Sequence, residues 1–201
     1  MLNTKKIIIS GASILVLICQ SFPLLSQDEL DWDEKYKLQF SDFRSPSTQL
    51  EGGNIYSLYS GVTFDFAFQM TNAEFMFTKN FNSKVNCKFH RNAASLVAPD
   101  TIRAMDLLLF ARYDFDLAEL YARKVRQKAY ETKGTFSNPS FFIPVFNQFQ
   151  KEYSERHVQA SRLTDLGQDR VKLQELHLEV LTELTAYSDF CKTCKPVKRK
   201  K

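Results

Sequence analysis

The chain has 201 residues, with 27 lysines and arginines against 23 acids, and 44% of it is hydrophobic. That is room for one ordinary domain with its own core plus a targeting segment. The formal charge of +4 belongs to the two ends: Lys5 and Lys6 supply two positive charges and the last seven residues supply five, so the body between them carries −3. The high basicity is thus an effect of the ends and gives no evidence for a nucleic-acid groove, so no nucleic-acid partner is expected.

Residues 1–26 read as a signal peptide, with Lys5 and Lys6 as the charged region, Ile7 to Ile18 as the apolar region, and Leu24-Leu25-Ser26 before a cleavage point at Gln27. The apolar run is shorter than the roughly 20 residues of a membrane span. Cys19 follows Leu17 and Ile18, which are too bulky for lipoprotein processing. Export to the periplasm or the extracellular space is the expectation. An uncleaved N-terminal anchor, or weak contact of the basic tail with anionic surfaces, is the expected extent of membrane contact. Residues 27–190 form one domain, and 191–201 a basic C-terminal tail.

Leu30 to about Gln49 is mixed in character, and Glu51-Gly-Gly-Asn54 reads as a turn. Ile55 to Ser60 is a strand candidate, with Gly61 as a bulge or break. Val62, Phe64, Phe66, Phe68 and Met70 alternate with polar or small residues, the period of a strand with one buried face. Ala73 to Thr78 follows a short turn as a third strand, and Val85, Cys87 and Phe89 alternate in a fourth. Short loops between sequential strands predict a meander of about four. His90 reads as a surface or packing histidine.

Pro99-Asp100 then opens a long helix closed at Gly134, with Asp100 as its N-cap. Leu108, Ala111, Phe115, Ala118, Ala122 and Val125 line one face of it. Asn138-Pro139 looks like a cap for a second helix running to about Arg162, with Phe146, Phe149, Tyr153 and His157 on one face. After Thr164-Asp-Leu-Gly167 a last helix carries the stripe Leu173, Leu176, Val180, Leu184 and Tyr187. The fold class is α+β: an antiparallel sheet packed on a long central helix with two further helices.

Cys87, Cys191 and Cys194 remain after cleavage, and export permits one structural disulfide with one thiol left over. The pairing is open. Cys191 to Cys194 has neither the strand-to-helix setting of a thioredoxin-type site nor a second ligand pair for zinc.

The stretch from Leu107 to Arg126 resembles the motif helix of a secreted bacterial Zn-dependent protease family of unknown function, a zincin-like domain whose helix reads L-L-x-H-E-x-G-H-F-D-I-A-E-x-x-A-R-K-x-R. The likeness is ungapped over Phe115-Asp116-Leu117-Ala118-Glu119 and Ala122-Arg123-Lys124-Val125-Arg126. Leu38 to Phe43 resembles the family's opening strand L-x-W-x-D-F, with Phe40 in place of Trp, which implies a strand that pins the sheet edge to the core. Ala160 to Gly167 resembles its Y-D-x-E-T-x-H-G, matching at Thr164 and Gly167. In a zincin, two histidines one helical turn apart hold zinc, and the neighbouring glutamate is general base to a zinc-bound water whose pKa falls from about 16 to about 7. Here the ligand and base positions are Phe110, Ala111 and Asp114, the intervening glycine is Tyr113, and Leu166 and Leu163 stand where a histidine and a glutamate would be.

The resemblance therefore implies a zincin-like scaffold without the peptidase residues: a pseudoenzyme of the bacterial envelope, with no cofactor, binding a peptide or an envelope protein. Two rival readings are an active metal-dependent hydrolase with a rearranged ligand set including Asp114, and a structural envelope protein whose cleft Phe110 and Tyr113 close. Asp116 and Glu119 are expected to be retained for structure, through Arg112 four residues before the one and Arg123 four after the other.

Overall fold

The computed structural model describes residues 28–66, 70–78, 80–132, 140 and 142–196. The signal segment, the last five residues, Gly134, the Asn138-Pro139 pair and Phe68 lie outside them.

The described residues fold as α+β. The strands are β1 (Glu29–Asp31), β2 (Ser57–Tyr59), β3 (Val62–Phe66), β4 (Val85–His90) and β5 (Ser95–Val97). The helices are α1 (Asn72–Phe77), α2 (Thr101–Thr132), α3 (Phe142–Leu163) and α4 (Arg170–Ala186). One antiparallel sheet has the order β1-β4-β3, and β2 pairs with β5 in a separate antiparallel ladder.

Helix α2 is the axis of the molecule. Its 32 residues extend for about 48 Å at 1.5 Å per residue. It starts where expected, with Arg103 N donating to Asp100 Oδ1 at 2.8 Å. From Tyr113 to Arg123 every residue is buried, because the sheet covers one side and α3 and α4 the other. A helix wrapped on all sides is apolar all round, and this one departs from that only where an acid has a partner.

Alternation in β3 and β4 turns Phe64, Phe66, Val85, Cys87 and Phe89 toward α2. Phe89 packs edge-on against Phe43 at 5.2 Å and tilted against Phe115 at 5.9 Å between ring centroids. At the far end Phe66, Phe75 and Phe81 all meet Phe142. Each such side chain stabilises the fold by about 1.5–3 kcal/mol through its buried area. Helix α3 lays Phe146 and Tyr153 on Phe64, and Phe149 on Tyr121, the face expected from their spacing. In α4, Leu173, Val180 and Leu184 are buried.

Several local readings are overturned. Residues 73–77, expected as strand, are helix, with Thr78 as the C-cap, because the Thr71 hydroxyl accepts from Glu74 N at 3.1 Å and caps α1. The Thr-x-x-Glu spacing that starts it is a helix signal. Leu38 to Phe43 is no strand: Phe40–Asp42 is a 3-10 turn, closed by Asp42 accepting from Gln39 N. Leu38 and Phe43 are buried, and Asp42 pairs with Arg91 at 2.9 Å, so the segment does pin the chain to the core. The meander is replaced by two ladders. Strand β1 inserts Leu30 opposite Phe89, and β2 turns away at Gly61 to pair with β5. Gly61 has φ +64°, and a Cβ there would lie 2.9 Å from both Ala94 Cβ and His90 O. Only glycine fits so close a crossing.

Candidate functional site

Helix α2 carries its carboxylates in a sequence that turns each toward a different neighbour. Asp114 faces α3, and Asp116 faces α4, as residues two apart on a helix must.

Asp114 is fully buried and accepts three hydrogen bonds. Ser60 Oγ donates to Oδ2 at 2.6 Å, Tyr153 OH donates to Oδ1 at 2.8 Å, and His157 Nδ1 lies 2.7 Å from the same Oδ1. Burial works against a charge on His157, but the hydrogen bond and the negative charge of Asp114 outweigh it, so the imidazole is held above its ordinary pKa. Burial, followed by the nearby Asp114 charge, keeps the Tyr153 phenol protonated far above its usual range. With Nδ1 taken by Asp114, Nε2 is the ring nitrogen of His157 left for a ligand.

A cavity of about 280 Å³ lies against this cluster, between the end of β2, α3 and the turn after it. Ser60, Asp114, Tyr153 and His157 form its polar wall, and Leu58, Phe110, Val158 and Leu166 are among its apolar walls. Phe110 stacks edge-on with His157 at 5.5 Å between centroids. Ala111 is buried in the core. Tyr113 is not among the cavity's walls; it packs on Phe110 at 5.7 Å and His177 at 5.9 Å, at the floor of a wider groove of about 660 Å³ between α3 and α4.

The residues Thr164 and Gly167 are explained by the turn that joins α3 to α4. Thr164 Oγ1 donates to Ala160 O at 2.8 Å and accepts from Gly167 N at 3.0 Å. Gly167 has φ +95°, and a Cβ would lie 2.5 Å from Asp106 O and 3.2 Å from Phe110 Cβ. This contact brings Leu166 to the same cavity as Phe110, while Tyr56 OH holds the Leu166 carbonyl at 3.0 Å.

On the other side of α2, Asp116 accepts from Trp32 Nε1 at 2.7 Å and lies 2.7 Å from His177 Nε2. The helical pairing with Arg112 is not made: Arg112 Nε instead donates to Leu38 O at 2.9 Å. Glu119 does pair with Arg123, at 3.0 Å, and also with the fully buried Arg126, at 2.7 Å. The two aspartate–histidine pairs span 43 and 61 residues, beyond any local spacing rule. A hint was nonetheless present, because aspartates in an apolar helix must find donors or pay for desolvation.

Of the cysteines, Cys191 and Cys194 form the disulfide, and Cys87 is free and buried on the inner face of β4. His90 lies at the surface against Thr63, 3.0 Å from its hydroxyl.

The donor set does not fit a zincin's zinc. Phe110 and Leu166 offer only carbon, and both oxygens of Asp114 are engaged by protein donors. Among the described residues no three His, Cys, Asp or Glu side chains come together in a way that could hold a metal ion. No described helix is long and apolar enough to cross a membrane. No family model, curated protein or solved structure matches the chain.

Proposed function

We propose that the protein is an exported, zincin-like pseudoenzyme of the cell envelope that acts by binding a peptide or another envelope protein. The reading rests on one observation. Phe110 and Asp114 on α2, and Leu166 some fifty residues later, come from two separate stretches resembling zincin motifs, yet they line one cavity. Two likenesses so far apart in the chain would converge in space if both descend from one site.

The cavity suits a ligand better than a reaction. Apolar walls with one polar cluster are the usual make-up of a binding pocket, and the volume is that of a side chain rather than of a whole peptide. Its only carboxylate is consumed by Ser60, Tyr153 and His157. Export is inferred from the pattern of residues 1–26, and the Cys191–Cys194 disulfide suits an oxidising compartment. A purely structural role is less favoured, because a cavity persists beside Phe110.

The test is metal content by elemental analysis, with melting curves recorded with and without zinc. Near-zero metal and an unchanged curve are expected. About one zinc per chain, lost in Asp114→Ala, would refute the proposal in favour of a hydrolase that uses Asp114 and a histidine. Binding is tested with a mixed tetrapeptide library, on the wild type and on Val158→Trp, whose indole would occupy the cavity from an exposed position. The library should raise the melting temperature of the wild type only. Identical behaviour of the two proteins would point to the structural role.

A further inference from the structure

Cys191 and Cys194 are joined across a sequence separation of 3, in the turn that follows a short 3-10 helix, Ser188–Phe190. A bond over so few residues removes less loop-closure entropy from the unfolded chain than one that closes a long loop, so it is a weak staple. The segment is also anchored without it. Asn80 Nδ2 and Asn82 Nδ2 both donate to Cys194 O at 3.0 Å, and Asn82 Nδ2 also donates to Asp189 O at 3.1 Å. The buried Arg126 donates from Nη1 to Phe190 O at 3.0 Å, and Lys192 pairs with Asp31 at 2.7 Å. Both disulfide cysteines are half-buried, within reach of an external thiol, whereas Cys87 is enclosed.

We propose that Cys191–Cys194 is a redox-active pair that exchanges with a dithiol, on a loop whose backbone stays docked in both states. A bond that contributes little as a staple, on a loop held by five other polar contacts, is free to open and close without unfolding the domain. The flanking Lys195 favours thiolates there by charge, while the charge of Lys192 is shared with Asp31. The Thr193 hydroxyl lies 3.6 Å from Cys191 Sγ and stabilises a thiolate at that sulfur, so Cys191 is the leaving group and Cys194 the sulfur attacked.

In the exchange, one thiolate of the dithiol bonds to Cys194 Sγ and the Cys191–Cys194 bond breaks, its electron pair leaving on Cys191. The second thiolate of the dithiol then attacks the dithiol sulfur of this mixed disulfide, forming the dithiol's own S–S bond and breaking the bond to Cys194, which leaves as a thiolate. Both cysteines take up the two protons given by the dithiol, which ends as a disulfide. The protein is reduced by two electrons and the dithiol oxidised by two. The reverse reaction makes the protein an electron donor to a disulfide.

The full-length chain is treated with dithiothreitol in the absence of denaturant, quenched with a maleimide and mapped by peptide. Labels are expected on Cys191 and Cys194 and none on Cys87, at a rate roughly tenfold above that of glutathione disulfide under the same dithiol. Glutathione disulfide should restore the bond, and reduction should move the melting temperature by less than about 5 °C. Thr193→Val, an exposed change, should slow the reaction by about threefold. Labelling only after denaturant is added, or a rate no greater than that of glutathione disulfide, overturns the proposal. An unchanged rate in Thr193→Val overturns the assignment of Cys191 as the leaving group.

Discussion

Replacing Glu119 by glutamine separates structural retention from any role in a site. Glu119 is 2% exposed and lies between two guanidinium groups, Arg123 at 3.0 Å and Arg126 at 2.7 Å. Arg126 is enclosed completely, its Nε and Nη2 donating to Val85 O and its Nη1 to Phe190 O. Glutamine keeps the volume and one acceptor oxygen, but leaves two cations with no charge between them. Removing one partner of a buried pair costs about 3–5 kcal/mol, and the presence of a second unmatched cation puts the cost toward the upper end. That is a large part of a total stability of about 5–15 kcal/mol. The assay is urea denaturation. With a slope of about 2 kcal/mol per molar, the midpoint should fall by about 1.5–2.5 M. A midpoint drop below about 0.5 M for Glu119→Gln would refute the reasoning, because the carbonyls of Val85 and Phe190 on Arg126, and that of Leu184, which accepts from Arg123 Nη1 at 2.9 Å, would then be sufficient for both guanidiniums.

Three further outcomes are expected. His157 has a folded-state pKa raised by Asp114, so its contribution is fully present below its unfolded value near 6.5 and fades as pH rises through the higher folded value; the stability gap between wild type and His157→Gln should narrow across that interval, and a gap that widens with pH would contradict the Asp114 pairing. Gly167→Ala meets both a positive φ and the Asp106 carbonyl at 2.5 Å, so it should cost more than the roughly 1–3 kcal/mol of backbone strain alone. Gly52→Ala, with φ +88° but open space around it, should pay only the strain, and the two are compared by urea midpoints. Phe110→His combined with Leu166→His puts two nitrogen donors beside Asp114. If the scaffold is zincin-like, zinc at a hundredfold excess over its Kd should stabilise that variant by about 2.7 kcal/mol and leave the wild type unmoved, as read by calorimetry.

Three residues of the candidate site were visible in the sequence as positions, but not as a constellation. Phe110, Asp114 and Leu166 stand out against the motifs they resemble, and the cavity gathers them. The partners of Asp114 were not legible: Ser60 looked like the end of a strand, and Tyr153 and His157 like members of a packing stripe. They do pack, on Phe64 and Phe110, while their polar ends reach the carboxylate. The same side chain serves both purposes, and periodicity reports only the first.

Local chemistry determined the elements whose interactions are themselves local. The start of α2 follows from the cap at Asp100, the faces of α3 and α4 from their repeats, and β3 and β4 from strict alternation, because helix bonds and side-chain direction depend on neighbours a few residues away. Even α1 was encoded locally, in Thr71 and Glu74, behind an apolar run that reads equally well as strand. Tertiary structure alone decided which strands pair and which aspartate meets which histidine. Those choices depend on the burial of α2 from all sides, which makes each enclosed charge find a donor wherever the fold brings one, at separations of 43 and 61 residues. Desolvation sets the requirement; the packing of α3 and α4 around α2 supplies the answer.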